Sequence, residues 1–149
     1  MGKKLLSLGA IAMDIVINSH DLPKDDGFAL INHEQMLPGG SASNVSVSAA
    51  YFGMESYQTG KIGDDNIGDE FLRTLREDGV DAELVAVKKG GTTLHTYILT
   101  APGGRHCIFA NTGDTVCTLI PEELPEEPAC FKVCRMAEAE AFFKRISVS

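Results

Sequence analysis

Leu5 to Ala12 (LLSLGAIA) is a short apolar run ending in small residues, the pattern of a buried first strand in a parallel or mixed sheet. Asp14 interrupts it, and Ile15-Val16-Ile17 resumes a strand-like pattern. The turn-forming segment Asp21 to Gly27 (DLPKDDG) leads to a weakly alternating stretch, Phe28 to Leu37, which predicts an exposed strand with one wet face. After Pro38-Gly39-Gly40, the small residues of Ser41 to Phe52 predict a helix that packs close to neighbouring backbone and stops at Gly53. A strand follows over Ser56 to Ile62, then the turn Gly63-Asp64-Asp65. The most clearly amphipathic element comes next. Asn66 is its expected cap, Ile67, Phe71 and Leu75 with Leu72 form its buried stripe, and Gly79 is its stop. Asp69, Arg73 and Glu77 fall four apart on its wet face, where they are expected to pair. Val80 to Val87 predicts another strand, and Thr92 to Thr100 and Arg105 to Ala110 form a hairpin about Ala101-Pro102-Gly103-Gly104. Helix and strand alternate up to residue 80 and only strands follow, so the expected fold is an α/β layer carrying a smaller β element.

Beyond Ile120 the pattern deteriorates. Pro121, Pro125 and Pro128 break an acidic stretch, and Cys130 to Ser149 predicts a short helical segment with neither a capping glycine nor a following strand.

Composition narrows the picture only modestly. At 149 residues, 44% hydrophobic and 23% charged, the chain is the size of one domain with a core. A net charge of −8 without any long basic run excludes a phosphate-tracking surface, so no nucleic-acid partner is expected. The apolar N-terminus is broken by Ser7, Gly9 and Asp14, which favours a buried strand over a signal peptide. No segment approaches the roughly 18 apolar residues of a membrane span, so no membrane association is expected. Cys107, Cys117, Cys130 and Cys134 have no disulfide-like spacing. Reduced thiols and a cytoplasmic location are the expectation.

Several motifs fail on inspection. Gly60-Lys61 has Glu55 and Ile62 where a phosphate loop needs glycine and serine or threonine, and Ser43 stands where a nucleophile elbow needs its last glycine. There is no G-x-G-x-x-G, and the four histidines have no carboxylate partner at helical spacing, so no metal site is expected. Pro38 to Asn44 (PGGSASN) survives. Two glycines allow close backbone approach just before a helix N-terminus with free N–H groups. Asn44 offers a donor and an acceptor, and Asp14 is expected just past the C-terminal end of the first strand, where open α/β sheets bind ligands. An acceptor-only carboxylate beside an amide suits a polyhydroxylated small molecule. The same residues also suit a tight turn with an Asn cap and a surface aspartate.

The run from Gly39 to Asp81 resembles the amino-terminal signature of the ribokinase-like, or PfkB, carbohydrate kinases. It has the Gly-Gly-x-x-x-Asn turn, the Ala-rich helix ending at Phe52-Gly53, Gly60-x-Ile62-Gly63-Asp64-Asp65 with Gly68 after it, and a helix running into Asp78-Gly79-Val80. Leu8-Gly9 through Asp14 is similar to the family's first strand and substrate-binding aspartate. Thr92 to Ala110 resembles its later hairpin, and the likeness extends over about residues 4–120. The resemblance implies an α/β, ribokinase-like three-layer Rossmann-like sandwich, here incomplete. A small β-sheet lid would come from the segments after Asp14, before Gly39 and around Thr92 to Ala110. It implies that Asp14, Gly39, Gly40 and Asn44 hold substrate hydroxyls while the γ-phosphoryl of MgATP passes to a hydroxymethyl group of a sugar or nucleoside. Ser41 stands where ribokinases themselves often carry lysine, so sugar acids, fructose derivatives and nucleosides stay open beside ribose.

The family's distal Asp-Thr-x-Gly-Ala-Gly-Asp segment, which supplies the general base, has no counterpart here. Asn111-Thr112-Gly113-Asp114-Thr115 is the nearest string, and it lacks the second glycine and the following aspartate. Residues 1–120 are therefore expected to be the substrate-binding half with its lid, and residues 121–149 an atypical tail arising by truncation or a shifted reading frame. ATP and magnesium would belong to the full-length form, none being expected on this chain alone, and a homodimer through the lid follows by family analogy. The alternative is a non-catalytic module that binds a polyol or associates through its lid.

Overall fold

The structure is a computed structural model and describes residues 4–116 and 118–124, with the backbone of Lys132–Arg135. Two four-stranded sheets organise it. The first is wholly parallel, in the order β5-β4-β1-β8, from β1 (Lys4–Leu8), β4 (Glu55–Gly63), β5 (Val85–Lys88) and β8 (Lys132–Arg135). The second is mixed, in the order β3-β2-β6-β7, from β2 (Ala12–Ser19), β3 (Ile31–Gly39), β6 (His95–Ala101) and β7 (Arg105–Asn111). Here β2 runs antiparallel to β3 and parallel to β6, and β6 turns antiparallel into β7.

The helices α1 (Ser41–Tyr51) and α2 (Asn66–Glu77) pack into one core with the first sheet. Ile11, Met13, Ile62, Phe71, Leu75, Val80, Ala82 and Val85 form its centre, and Val47 and Ala50 of α1 with Ile67 and Leu72 of α2 close over it. α2 owes its place to the stripe read in its sequence, with Phe71 and Leu75 fully buried. α1 is held differently. Its small residues let the helix backbone come within hydrogen-bonding reach of the sheet, so that Ser56 Oγ on β4 donates to the Ser46 carbonyl at 2.7 Å.

Several sequence expectations change. The first apolar run is two strands, because the chain leaves the parallel sheet at Gly9 and enters the other at Ala12. Asp14 is thus the third residue of β2, not a residue beyond the end of the first strand. The exposed strand expected from Phe28 begins at Ile31 and reaches Gly39, and the strand expected over Val80 to Val87 is only Val85–Lys88, preceded by a single bridge between Tyr57 and Asp81. The cap of α2 is Asp65 rather than Asn66. Asp65 has extended backbone and its carboxylate accepts from Gly68 N–H at 2.8 Å. Arg73 pairs with Glu77 as expected, and its other partner is Glu70 at the i,i+3 position rather than Asp69. Within the segment expected to be helical from Cys130, Lys132–Arg135 is a strand beside β1, with Cys134 opposite Ser7. The expectations for residues 125–131 and 136–149 lie outside the described residues.

Candidate functional site

The two sheets meet where β2 and β3 converge on the Gly39-Gly40 turn. Gly39, the last residue of β3, is in register with Ala12, and Asp14 is flanked across the sheet by Leu37 on β3 and Thr96 on β6. Asp14 is half-buried, and its Oδ1 accepts from Thr96 Oγ1 at 2.5 Å, the short geometry of a hydroxyl donating to a carboxylate. Any Cβ at Gly39 would collide with that carboxylate, meeting Oδ2 first. A bare backbone is what lets the aspartate lie against the turn.

Gly40 caps α1 at φ +93°, and a Cβ there would run into the Ala10 carbonyl oxygen. Both facts require glycine at this position. The turn of the chain puts the start of α1 beside the Asp14 strand, with no side-chain cap on its first N–H groups. Asn44 lies one turn into α1, its N–H bonded to the Gly40 carbonyl at 3.1 Å and its side chain exposed. Asp14 and Gly39 therefore touch, Gly40 follows directly, and Asn44 is joined to Gly40 through the first helical hydrogen bond.

A second polar cluster fixes the other crossing between the sheets. Asp65 Oδ1 accepts from Gly68 N–H at 2.8 Å and Thr93 Oγ1 at 2.6 Å, and Oδ2 accepts from Thr93 N–H at 2.9 Å. Thr93 Oγ1 in turn accepts from Gly63 N–H at 2.9 Å. Burial pushes the Asp65 carboxyl up, but the bonds from Thr93 and Gly68 outweigh it and hold the group below the ordinary aspartate range. Nearby, Asp114 Oδ1 accepts from Thr92 N–H at 2.7 Å and its Oδ2 pairs with Lys88 at 2.7 Å. The Gly63-Asp64-Asp65 turn and Asp114 are thus fastenings that lock residues 88–93 to the parallel sheet just before β6.

These roles bear on nucleotide chemistry. Asp114, in the string nearest the family's catalytic segment, is committed to Thr92 and Lys88. Lys61, of the rejected Gly-Lys pair, lies on a strand and pairs with Glu123 at 2.6 Å. No group of three or more potential metal ligands occurs among the described residues. Asp114 and Lys61 are therefore engaged in contacts of the fold. No helix among them is long and apolar enough to cross a membrane.

Sequence reasoning missed Thr96 and the partners of Asp65. Thr96 lies 82 positions from Asp14 and is brought to it by the register of β6 against β2, while Thr93 lies 28 positions from Asp65 and meets it where two connecting segments come together.

A parallel α/β sheet joined to a second, mixed sheet, with an aspartate lodged against a glycine turn at a helix N-terminus, defines a ribokinase-type architecture. Solved structures share it. Ribokinase from Cryptococcus neoformans in complex with ADP superimposes with a TM-score of 0.73 at 18% identity, over 97% of this chain and 44% of that one. Arabidopsis thaliana ribokinase complexed with ribose and ATP gives 0.67 at 24% identity, over 76% and 37%. The model of the pfkB family carbohydrate kinases matches residues 2–143, and the chain belongs to that family. It is 32% identical to an ATP-dependent ribose-1-phosphate kinase of Halopiger xanaduensis over 83% of this chain and 41% of that protein. It is 28% identical to ribokinase of Bacillus subtilis over 84% and 48%. The chain thus spans less than half the length of these relatives.

Proposed function

We propose that this chain is the substrate-holding part of an ATP-dependent carbohydrate kinase. Asp14, Gly39, Gly40 and Asn44 would bind hydroxyls of a sugar or nucleoside, and the β2-β3-β6-β7 sheet would act as the lid. The observation carrying this reading is the Asp14 carboxylate seated against a glycine that tolerates no side chain, at the mouth of α1. An acceptor-only carboxylate takes hydroxyl donors, the exposed Asn44 amide both donates and accepts, and lid closure would exclude water from the bound sugar.

Phosphoryl transfer to a hydroxymethyl group needs a base for the hydroxyl proton and positive charge around the transferring phosphoryl. With Asp114 and Lys61 committed elsewhere, those parts and the ATP–magnesium site would belong to a longer form of the protein. The lid also suits pairing with a second copy, since Met36, Ile15, Tyr97 and Phe109 form a register row on the face opposite Asp14 and three of the four are exposed.

The test is ADP release by the pure chain with ATP, magnesium and, in turn, D-ribose, D-fructose and adenosine. No ligand-dependent ADP is expected from this chain alone, while calorimetry should register saturable binding of at least one of the three. Sustained ligand-dependent ADP release would overturn this division of roles.

A further inference from the structure

Asp14 has two cross-strand neighbours, and only one can hold it. Leu37 on β3 offers no hydrogen bond, whereas Thr96 on β6 donates to Oδ1 at 2.5 Å. Oδ2, the oxygen nearest the bare face of Gly39, accepts from no described side chain. The carboxylate is therefore divided into a held oxygen and a presented one. Without the hydroxyl, a carboxylate on a half-buried strand would be free to turn about its Cα–Cβ bond, and a ligand would have to order it on binding.

We propose that Thr96 is a positioning residue for ligand recognition, its hydroxyl pinning Asp14 Oδ1 so that Oδ2 is presented to a ligand hydroxyl at the Gly39-Gly40 turn. The inference rests on the reading of Asp14 as a ligand-binding group. Both residues belong to adjacent strands of the same sheet, so the bond lies within the lid and moves with it. Lid closure then delivers an aspartate already oriented. Thr96 uses its single proton on Asp14, which leaves its oxygen lone pairs free to accept a further hydroxyl from the ligand.

Thr96→Val keeps the volume and the β-branched shape of the strand while removing the donor, and Thr96→Ser keeps the donor while removing the methyl. Calorimetric titration of the chain with D-ribose, D-fructose and adenosine is expected to show binding weakened about 10-fold or more in Thr96→Val but within about 3-fold of wild type in Thr96→Ser. Three-bond NMR couplings about the Asp14 Cα–Cβ bond should report one rotamer in wild type and Thr96→Ser and averaging in Thr96→Val. Wild-type affinity in Thr96→Val, or equal weakening in both variants, overturns the inference while leaving the proposed function standing. If Thr96→Val does not fold, Asp14 averaging in Thr96→Ser overturns it and a single rotamer there upholds it. A wild-type chain that binds none of the three ligands refutes the proposed function and this inference together.

Discussion

Replacing Asp65 by alanine removes three hydrogen bonds with one substitution. Loss of the α2 cap to Gly68 N–H costs about 1 kcal/mol. Thr93 is fully buried, and its N–H loses its acceptor, which costs about 1–3 kcal/mol for an orphaned buried donor. The Thr93 hydroxyl can rotate, so little more is added there. The expected total is about 2–4 kcal/mol, a large share of the roughly 5–15 kcal/mol that stabilises a typical domain. Urea unfolding followed by far-ultraviolet circular dichroism measures it. Thr93→Val removes the hydroxyl bond to Asp65 Oδ1 from the other side, keeps the Thr93 N–H bond to Oδ2, and strands Gly63 N–H. If the pair acts as one fastening, the double variant should cost at least about 1 kcal/mol less than the sum of the single variants. Additivity within about 0.5 kcal/mol, or a cost for Asp65→Ala well below 1 kcal/mol, would refute the assignment of this turn as the lock between the sheets.

Two further outcomes follow from the same geometry. Gly40→Ala should destabilise the chain more than Gly53→Ala in urea unfolding: both sit at positive φ, but a Cβ at Gly40 meets the Ala10 carbonyl whereas one at Gly53 meets nothing within 4 Å, so the control carries only the roughly 1–2 kcal/mol of backbone strain. Because the Asp65 carboxyl is held below its ordinary range in the folded chain, its contribution to stability is complete above the unfolded aspartate pKa and is lost as pH falls through the lower folded value. Asp65→Ala should accordingly show a shallower loss of stability on acidification below about pH 4 than wild type, and parallel acid limbs would contradict that.

The parts of this fold legible in the sequence are those encoded by local pattern. The stripe of Ile67, Phe71, Leu72 and Leu75 defines α2 by periodicity alone, and the Gly39-Gly40 pair followed by small residues marks the turn and the close-packed α1. The hairpin about Pro102-Gly103-Gly104 is equally local, with Gly103 and Gly104 at positive φ. Other features depend on contacts distant in the chain. The Leu5 to Ala12 run is continuous in hydropathy yet divides between two sheets, since both strands are buried and nothing in polarity marks the switch at Gly9. Asp65 and Asn66 are both good capping residues, and the choice falls to Asp65 because Thr93 also binds it. Strand β8, Lys-Val-Cys-Arg, is too short to show a period and is specified by its place beside β1. At the site, Asp14 and the glycine turn were visible as residue types, while Thr96 was invisible until register brought β6 alongside β2.

The proposed function depends on the Asp14 carboxylate at the Gly39-Gly40 turn receiving a ligand hydroxyl. Its most direct test is the dissociation constant of wild type and Asp14→Ala for whichever of D-ribose, D-fructose and adenosine the wild-type chain binds most tightly. Circular dichroism would confirm that both chains are folded. Saturable binding by wild type and none detectable by Asp14→Ala is the predicted result, and an unchanged dissociation constant would contradict it.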